Sequence, residues 1–356
     1  MKGPSVFVIF SLILCCFGSP LCEDVNDETP IHRLSTKTSY FNAEKDNSNW
    51  ETFQREVSGC IAHQVWLLNR HGTRFPTGND MSRLVDVLPT ISKQIVSNHH
   101  QGRVLHFTFQ FYKACPRWMR EVYKNNETTY KERLLFVKGK EFQSVIHTVS
   151  ARLGFLHPLT PRQIESIYDE CRYETAWWPN RKSAWCSSFS HHDFEVMEYH
   201  QDLKYYYEDS YGQPLNLETA CETMNNIYSN FWNTVISGKG VPHGIFNFAH
   251  DKTILQVLTR LGIFKPSQHL RHDNFSDMKN RIWKTSYVSP FAANLALVLY
   301  SCGSDHKVGT FFQGQPIPIP GKCEGVSCRW EELQPWFENN FKTCDLSKLC
   351  MIHDEL

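Results

Sequence analysis

The chain has 356 residues, enough for one large domain or two modest ones. Lys plus Arg equals Asp plus Glu at 37 each, so no global field draws it to nucleic acid or to an anionic membrane, and any anion must be recognised locally. Its 24 Phe, 14 Tyr and 10 Trp supply ample apolar surface for a packed core.

The chain opens with Lys2, an apolar run from Val6 to Phe17, small residues, and then Glu23-Asp24. That layout predicts a cleaved secretory signal over residues 1–22, because the run is too short to span a bilayer. No other apolar run reaches membrane length, so no membrane span is expected. Residues 23–59 are polar and weakly periodic, and read as an extended lead-in.

The text "IAHQVWLLN", residues 61–69, predicts a buried strand that delivers Arg70 at its C-terminal end. From about Phe109 to Gly240 the pattern turns helical, as in "KEFQSVIHTVSARLGF", with apolar residues recurring at three and four. "GIFNFAHDKTILQVLTRLG" then predicts a second strand, Ile245 to Ala249, and a helix, Thr253 to Leu261. Ile254, Leu258 and Leu261 share one face of that helix, and Gly262 stops it. A third buried strand is expected over Ala292 to Cys302. The fold class is therefore α/β: an α/β domain over residues 60–108 and 241–350, interrupted by a mostly helical insertion over 109–240.

Cysteine usage points to an oxidising compartment. Of thirteen cysteines, Cys15 and Cys16 leave with the signal and Cys22 lies at its edge. The remaining even set predicts several disulfides without fixing their connectivity. A zinc site is rejected: no CxxC pair occurs, and His99-His100 and His191-His192 lack a matching ligand frame. Two glycosylation sequons begin at Asn126 and Asn274. The C-terminal His353-Asp354-Glu355-Leu356 has the form of a retrieval signal read by an endoplasmic-reticulum receptor. Residence in the lumen of that compartment is the expectation.

The chemistry concentrates at two strand ends. Arg70, His71 and Arg74 repel one another unless an anion sits among them. His250-Asp251 occupies the equivalent place, after a strand and before a helix. Strand C-termini bind ligands in open α/β sheets, and helix N-termini favour anions. Two arginines offer bidentate bonds to phosphoryl oxygens, and Gly72 lets the backbone approach. A neutral His71 imidazole is placed to attack phosphorus, with water hydrolysing the phosphohistidine. His250 would steady the equatorial oxygens and Asp251 would protonate the leaving oxygen. No cofactor or metal is called for. Taken singly, Asp251 is also a good helix cap, His250 a plausible core histidine, and the arginines ordinary surface charges.

The octet Arg70-His71-Gly72-Thr73-Arg74-Phe75-Pro76-Thr77 resembles the signature of the histidine phosphatase superfamily, in its acid phosphatase and phytase branch. "AHDKTI", Ala249 to Ile254, resembles that branch's second motif. Within the branch the chain looks most like the inositol polyphosphate phosphatases, through "LSTKTSYF" (34–41), "EYHQDLKYYYEDSYG" (198–212) and "SPFAANLALVLYSC" (289–302). The resemblance implies a sheet flanked by helices, a small-molecule phosphate ester as substrate, His71 as nucleophile, and Arg70, Arg74 and His250 as phosphate-binding residues. Asp251 matches the proton donor of the wider acid phosphatases, whereas the inositol branch has His-Ala-Glu there. The resemblance also implies disulfides Cys186–Cys221 and Cys60–Cys302.

One departure bears on activity. The family carries a strand-and-helix stretch after the signature, with a further phosphate-binding arginine. Here only residues 79–103 separate the signature from the helical text, and they hold no counterpart. Arg117 or Arg120 would replace it only with a change of architecture. The sheet domain is therefore expected to be truncated. Three readings stay open: a phosphatase of inositol polyphosphates, a broad-specificity histidine acid phosphatase, and a weak or inactive relative that only binds phosphorylated ligands.

Overall fold

A computed structural model describes residues 32–40, 42–43, 48–72, 111–178, 181, 183–238 and 240–352. The expected signal peptide, the tail His353–Leu356 and Arg74 lie outside the described residues. Named in chain order, the elements that organise the structure are α1 (Trp50–Glu56), β1 (Ile61–Arg70), α2 (Pro116–Glu121), α3 (Lys131–Lys138), α4 (Lys140–Arg152), α5 (Pro161–Trp177) and α6 (His191–Asp209). Next come α7 (Cys221–Ser237), β2 (Gly244–Ala249), α8 (Asp251–Leu261), α9 (Thr285–Val288), β3 (Asn294–Cys302), β4 (Asp305–Phe312), β5 (Gln315–Pro316), β6 (Ser327–Arg329) and α10 (Trp330–Thr343).

Two compact units emerge, one from Met1–Asp46, Arg120–Asn216 and Gly262–Ala293, the other from Asn47–Met119, Leu217–Leu261 and Asn294–Leu356. Compactness thus divides the chain elsewhere than at residues 109 and 240, and α7 groups with the sheet.

The sheet unit has strand order β2-β1-β3-β4-β5, with β6 also paired to β4. β1 and β2 are parallel, with Val65 opposite Gly244 and Arg70 opposite Ala249. The other pairs are antiparallel. Alternation along β1 buries Gln64, Trp66, Leu68 and Arg70. These join Leu295, Leu297 and Leu299 on the face covered by α7, α8 and α10. Within that layer Trp66 donates from Nε1 to Asn226 Oδ1 at 2.9 Å. Asn340 donates to the Cys221 carbonyl at 3.0 Å and accepts from Arg260 at 2.7 Å.

On the opposite face α1 packs Phe53 over Gly309 and against Phe311, ring centroids 4.9 Å apart. A Cβ at Gly309 would stand 2.7 Å from the Phe53 ring, so the close approach requires glycine. α1 corrects the extended lead-in: Trp50 and Phe53, three apart, anchor a helix whose other residues are polar. At the β2 edge of the same face Phe246 and Phe248 are 62% and 71% exposed.

The helical unit is centred on α6, which is buried along most of its length. Its start is fixed by a capping box between Ser190 and Asp193, and that of α5 by Thr160 with Gln163, Pro161 taking the first turn. α6 buries Glu198 and Asp202 one turn apart. Arg281 donates from Nε to Asp202 Oδ2 at 2.9 Å, and Asp202 Oδ1 accepts from the Thr285 N–H at 2.9 Å. Glu198 accepts from the Ser286 hydroxyl and stands 3.7 Å from Arg281. Buried carboxylates persist because these donors replace lost water.

Disulfides join Cys60–Cys302, Cys115–Cys350, Cys171–Cys186, Cys221–Cys344 and Cys323–Cys328. The Cys60–Cys302 pair is as expected. The expected Cys186–Cys221 pair is not formed. Cys186 closes onto Cys171 of α5, at a sequence separation of 15. Cys221 begins α7, which lies along α10 and so meets Cys344 just beyond that helix.

Candidate active site

The parallel register of β1 and β2 builds the site. The ladder runs to Arg70 opposite Ala249 and one step further, where the His71 N–H donates to the Ala249 carbonyl at 3.2 Å. The next residue on each chain segment is therefore a histidine at the C-terminal edge of the sheet. The rings of His71 and His250 stand edge to face, centroids 5.1 Å apart.

α8 starts at once. The His250 carbonyl accepts the first helical bond, from the Ile254 N–H at 3.3 Å, so His250 is the cap residue and Asp251 the first helical one. Asp251 is thus not the cap that its residue type also allowed. Its Oδ1 accepts from the Lys252 N–H at 3.0 Å, and its Oδ2 lies 3.5 Å from Arg70 Nη2. Arg70 is 1% exposed, so its charge lies buried at the floor of the site.

Electrostatics set the state of His71. Partial burial first, then the charge of Arg70 and the neighbouring His250, push its pKa below the usual histidine value. The Gly72 carbonyl, 3.5 Å from Nδ1, and Asp251 act in the opposite sense. The balance favours the neutral imidazole at pH 7, the form in which a histidine acts as a nucleophile. His71 and Gly72 are both exposed. A Cβ at Gly72 would meet no atom within 4 Å, so packing does not require glycine there.

Arg70, His71, His250 and Asp251, expected together from the sequence, are therefore brought together. The contact of Lys252 was not anticipated from the sequence. This lysine stands directly after the acid, in the first turn of α8, and its ammonium lies 5.6 Å above the ring of buried Trp118. A cation beside the acid in "HDKTI" was the available signal. Among the described residues no group of three or more His, Cys, Asp or Glu could hold a metal ion.

A parallel strand pair ending in facing histidines, with an arginine at the strand end and an acid at the helix start, defines an α/β protein with a histidine-lined, cationic sheet edge. Residues 89–313 match the family described as Histidine phosphatase superfamily (branch 2), and the chain belongs to that family. The match includes His250 and Asp251 and begins after Arg70, His71 and Arg74. The chain is 35% identical over 225 residues to multiple inositol polyphosphate phosphatase 1 of Drosophila melanogaster, covering 62% of this chain and 46% of that protein. It spans about half the length of the curated relatives it matches. Among solved structures, the phytase from D. castellii superposes with a TM-score of 0.63 at 14% identity, over 90% of this chain and 87% of that one. The multiple inositol polyphosphate phosphatase of Bifidobacterium longum, in complex with inositol hexasulfate, gives a TM-score of 0.64 at 10% identity, over 87% and 98%. At such identities these likenesses speak for the fold.

Proposed function

We propose that the chain is a phosphomonoesterase that removes phosphate from inositol polyphosphates through a phosphohistidine on His71. The observation that carries this reading is the β1–β2 register, which sets a neutral His71 beside His250 with Arg70 and Asp251 3.5 Å apart. Arg70 and His250 donate to the equatorial phosphoryl oxygens, and Arg74 is assigned the same role from the signature. A His71 ring nitrogen bonds to phosphorus as the P–O ester bond breaks. Asp251 passes its proton to the departing alcohol oxygen. Water then attacks phosphorus and the P–N bond breaks, Asp251 takes a proton back, and inorganic phosphate leaves. Inositol polyphosphate as substrate is supported by the similarity to the Drosophila phosphatase.

A second reading, weak turnover or binding alone, rests on the sequence expectation that residues 79–103 hold no counterpart to the family's further phosphate-binding arginine. One lost charge-assisted contact to the transferring phosphoryl group is worth roughly 2 to 4 kcal/mol, or about 10² to 10³ in rate. Low but His71-dependent turnover is accordingly expected.

Lumenal residence is part of the proposal. It is supported by the leader-like pattern expected over residues 1–22, the disulfide framework and the sequence His353-Asp354-Glu355-Leu356, which an endoplasmic-reticulum retrieval receptor would read.

The test is phosphate release from inositol hexakisphosphate by the purified chain. His71→Ala is expected to abolish it, and Asp251→Asn to slow it by about 10² to 10⁴, least for aryl phosphates whose leaving groups need no proton. Equal rates for wild type and His71→Ala would sink the enzyme reading.

A further inference from the structure

The two sequons, Asn126-Glu127-Thr128 and Asn274-Phe275-Ser276, are equally complete as text and stand in opposite physical situations. Asn274 is 3% exposed. Its Oδ1 accepts from the Tyr199 hydroxyl and from the Arg271 N–H, each at 2.8 Å, and its Nδ2 donates to the His269 carbonyl at 2.9 Å. Tyr199 and the adjoining Phe275 are themselves buried, ring centroids 5.3 Å apart. A sugar on Nδ2 would have to occupy space that these groups fill, and interiors packed to crystal density hold no such room.

Asn126 is the reverse. It lies on the turn between α2 and α3, exposed together with Glu127 and Thr128. The turn is fixed by its neighbour. Asn125 Oδ1 accepts from the N–H groups of Glu127 at 2.9 Å and Thr128 at 3.2 Å, and the Thr128 hydroxyl donates to the Glu121 carbonyl at 3.0 Å. Among the described residues no hydrogen bond engages the Asn126 amide, which projects from an ordered turn into water.

We propose that Asn126 is an N-glycosylation site of this chain, and that Asn274 stays unmodified in the folded protein. The inference rests on the lumenal routing proposed above. In the transfer, the Asn126 amide nitrogen bonds to the anomeric carbon of a lipid-linked oligosaccharide pyrophosphate. The bond from that carbon to the pyrophosphate oxygen breaks, and the proton lost by the amide leaves with the pyrophosphate. A polar, bulky group is added where it disturbs no packing.

The full chain is expressed in insect cells, its monodisperse fraction isolated, and N-glycans removed enzymatically before peptide mass spectrometry. Two variants are compared: Asn126→Gln, and Ser276→Ala, which destroys the second sequon at an exposed position and leaves the Asn274 bonds intact. One glycan is expected on wild type, absent in Asn126→Gln and unchanged in Ser276→Ala. A glycan that survives Asn126→Gln, or one lost in Ser276→Ala, overturns the assignment. A parallel arm replaces residues 1–22 with a secretory leader of known function. An unmodified Asn126 in that arm overturns the site itself. A glycan seen only in that arm upholds the site and overturns the native routing.

Discussion

His200 offers a stability prediction whose size can be worked from its surroundings. It sits on α6 with 0% exposure, its ring 4.8 Å from that of Phe142, and neither ring nitrogen makes a hydrogen bond among the described residues. Burial first, then the charges of Arg133, Arg172 and Lys204, hold its pKa well below the usual value. Glu165 Oε1, 3.6 Å from Nε2, acts the other way. Its partner oxygen, however, is committed to Arg133 at 2.8 Å, and the side chain is 29% exposed, so water screens it and the ring stays neutral. The unfolded chain protonates this histidine near pH 6.5 and the folded chain does not. Stability is therefore complete above that value and is lost as pH falls below it. Between pH 7.5 and 5.0 the slope rises to at most about 1.4 kcal/mol per pH unit, for as long as the folded histidine stays unprotonated. In His200→Leu that component disappears. At pH 7.5 the variant should be at least as stable, since two unsatisfied buried nitrogens are removed. The assay is urea-dependent hydrogen exchange of α6 peptides at both pH values, which reports this unit rather than the whole chain. An equal loss of protection on acidification in variant and wild type would refute the reasoning.

Two further outcomes are expected from the geometry of the site and of the disulfides. NMR titration of His71 should give a midpoint below pH 6.5, and Arg70→Gln should raise it, because a cation that disfavours imidazolium is gone; a midpoint above 6.5 would remove the neutral nucleophile at neutral pH. Non-reducing peptide maps should link Cys171 to Cys186 and Cys221 to Cys344, and Cys221→Ser with Cys344→Ser should cost about 2 to 4 kcal/mol in urea unfolding, whereas a Cys186–Cys221 peptide would contradict the structure.

Much of the site was legible because each half is local. A buried strand announces itself by a continuous apolar run, and the residues just past its end, Arg70-His71 or His250-Asp251, are then placed at a sheet edge without further information. That β1 and β2 are parallel neighbours in a register that opposes Arg70 to Ala249 is a long-range fact, and no local pattern encodes it. The 3.5 Å approach of Arg70 to Asp251 depends on that register and was invisible for the same reason. β4 was missed differently. Its text, "DHKVGTFF", dilutes the apolar signal with Lys307 and Gly309, yet the turns on both sides were readable. Cys302 pairs with Asp305 across Gly303-Ser304, and Phe312 with Gln315 across Gln313-Gly314. Gln313 and Gly314 both adopt positive φ, 51° and 77°, as a two-residue hairpin turn demands. Disulfide partners were the least legible, since Cys221 and Cys344 meet only because two helices distant in sequence lie side by side.

Arg70 ties the two chemical roles of the site to one charge. Burial and the Arg70 guanidinium together lower the His71 pKa, and the same guanidinium lies 3.5 Å from the Asp251 carboxylate. In the proposed reaction, a phosphate monoester entering between the histidines offers the guanidinium two oxygens in the geometry it fits best. The Arg70 charge is then shared between the substrate and Asp251, 3.5 Å away. An uncharged ester would make no such demand on Arg70, so the proposed reaction favours phosphate through Arg70 itself rather than through contacts to the alcohol.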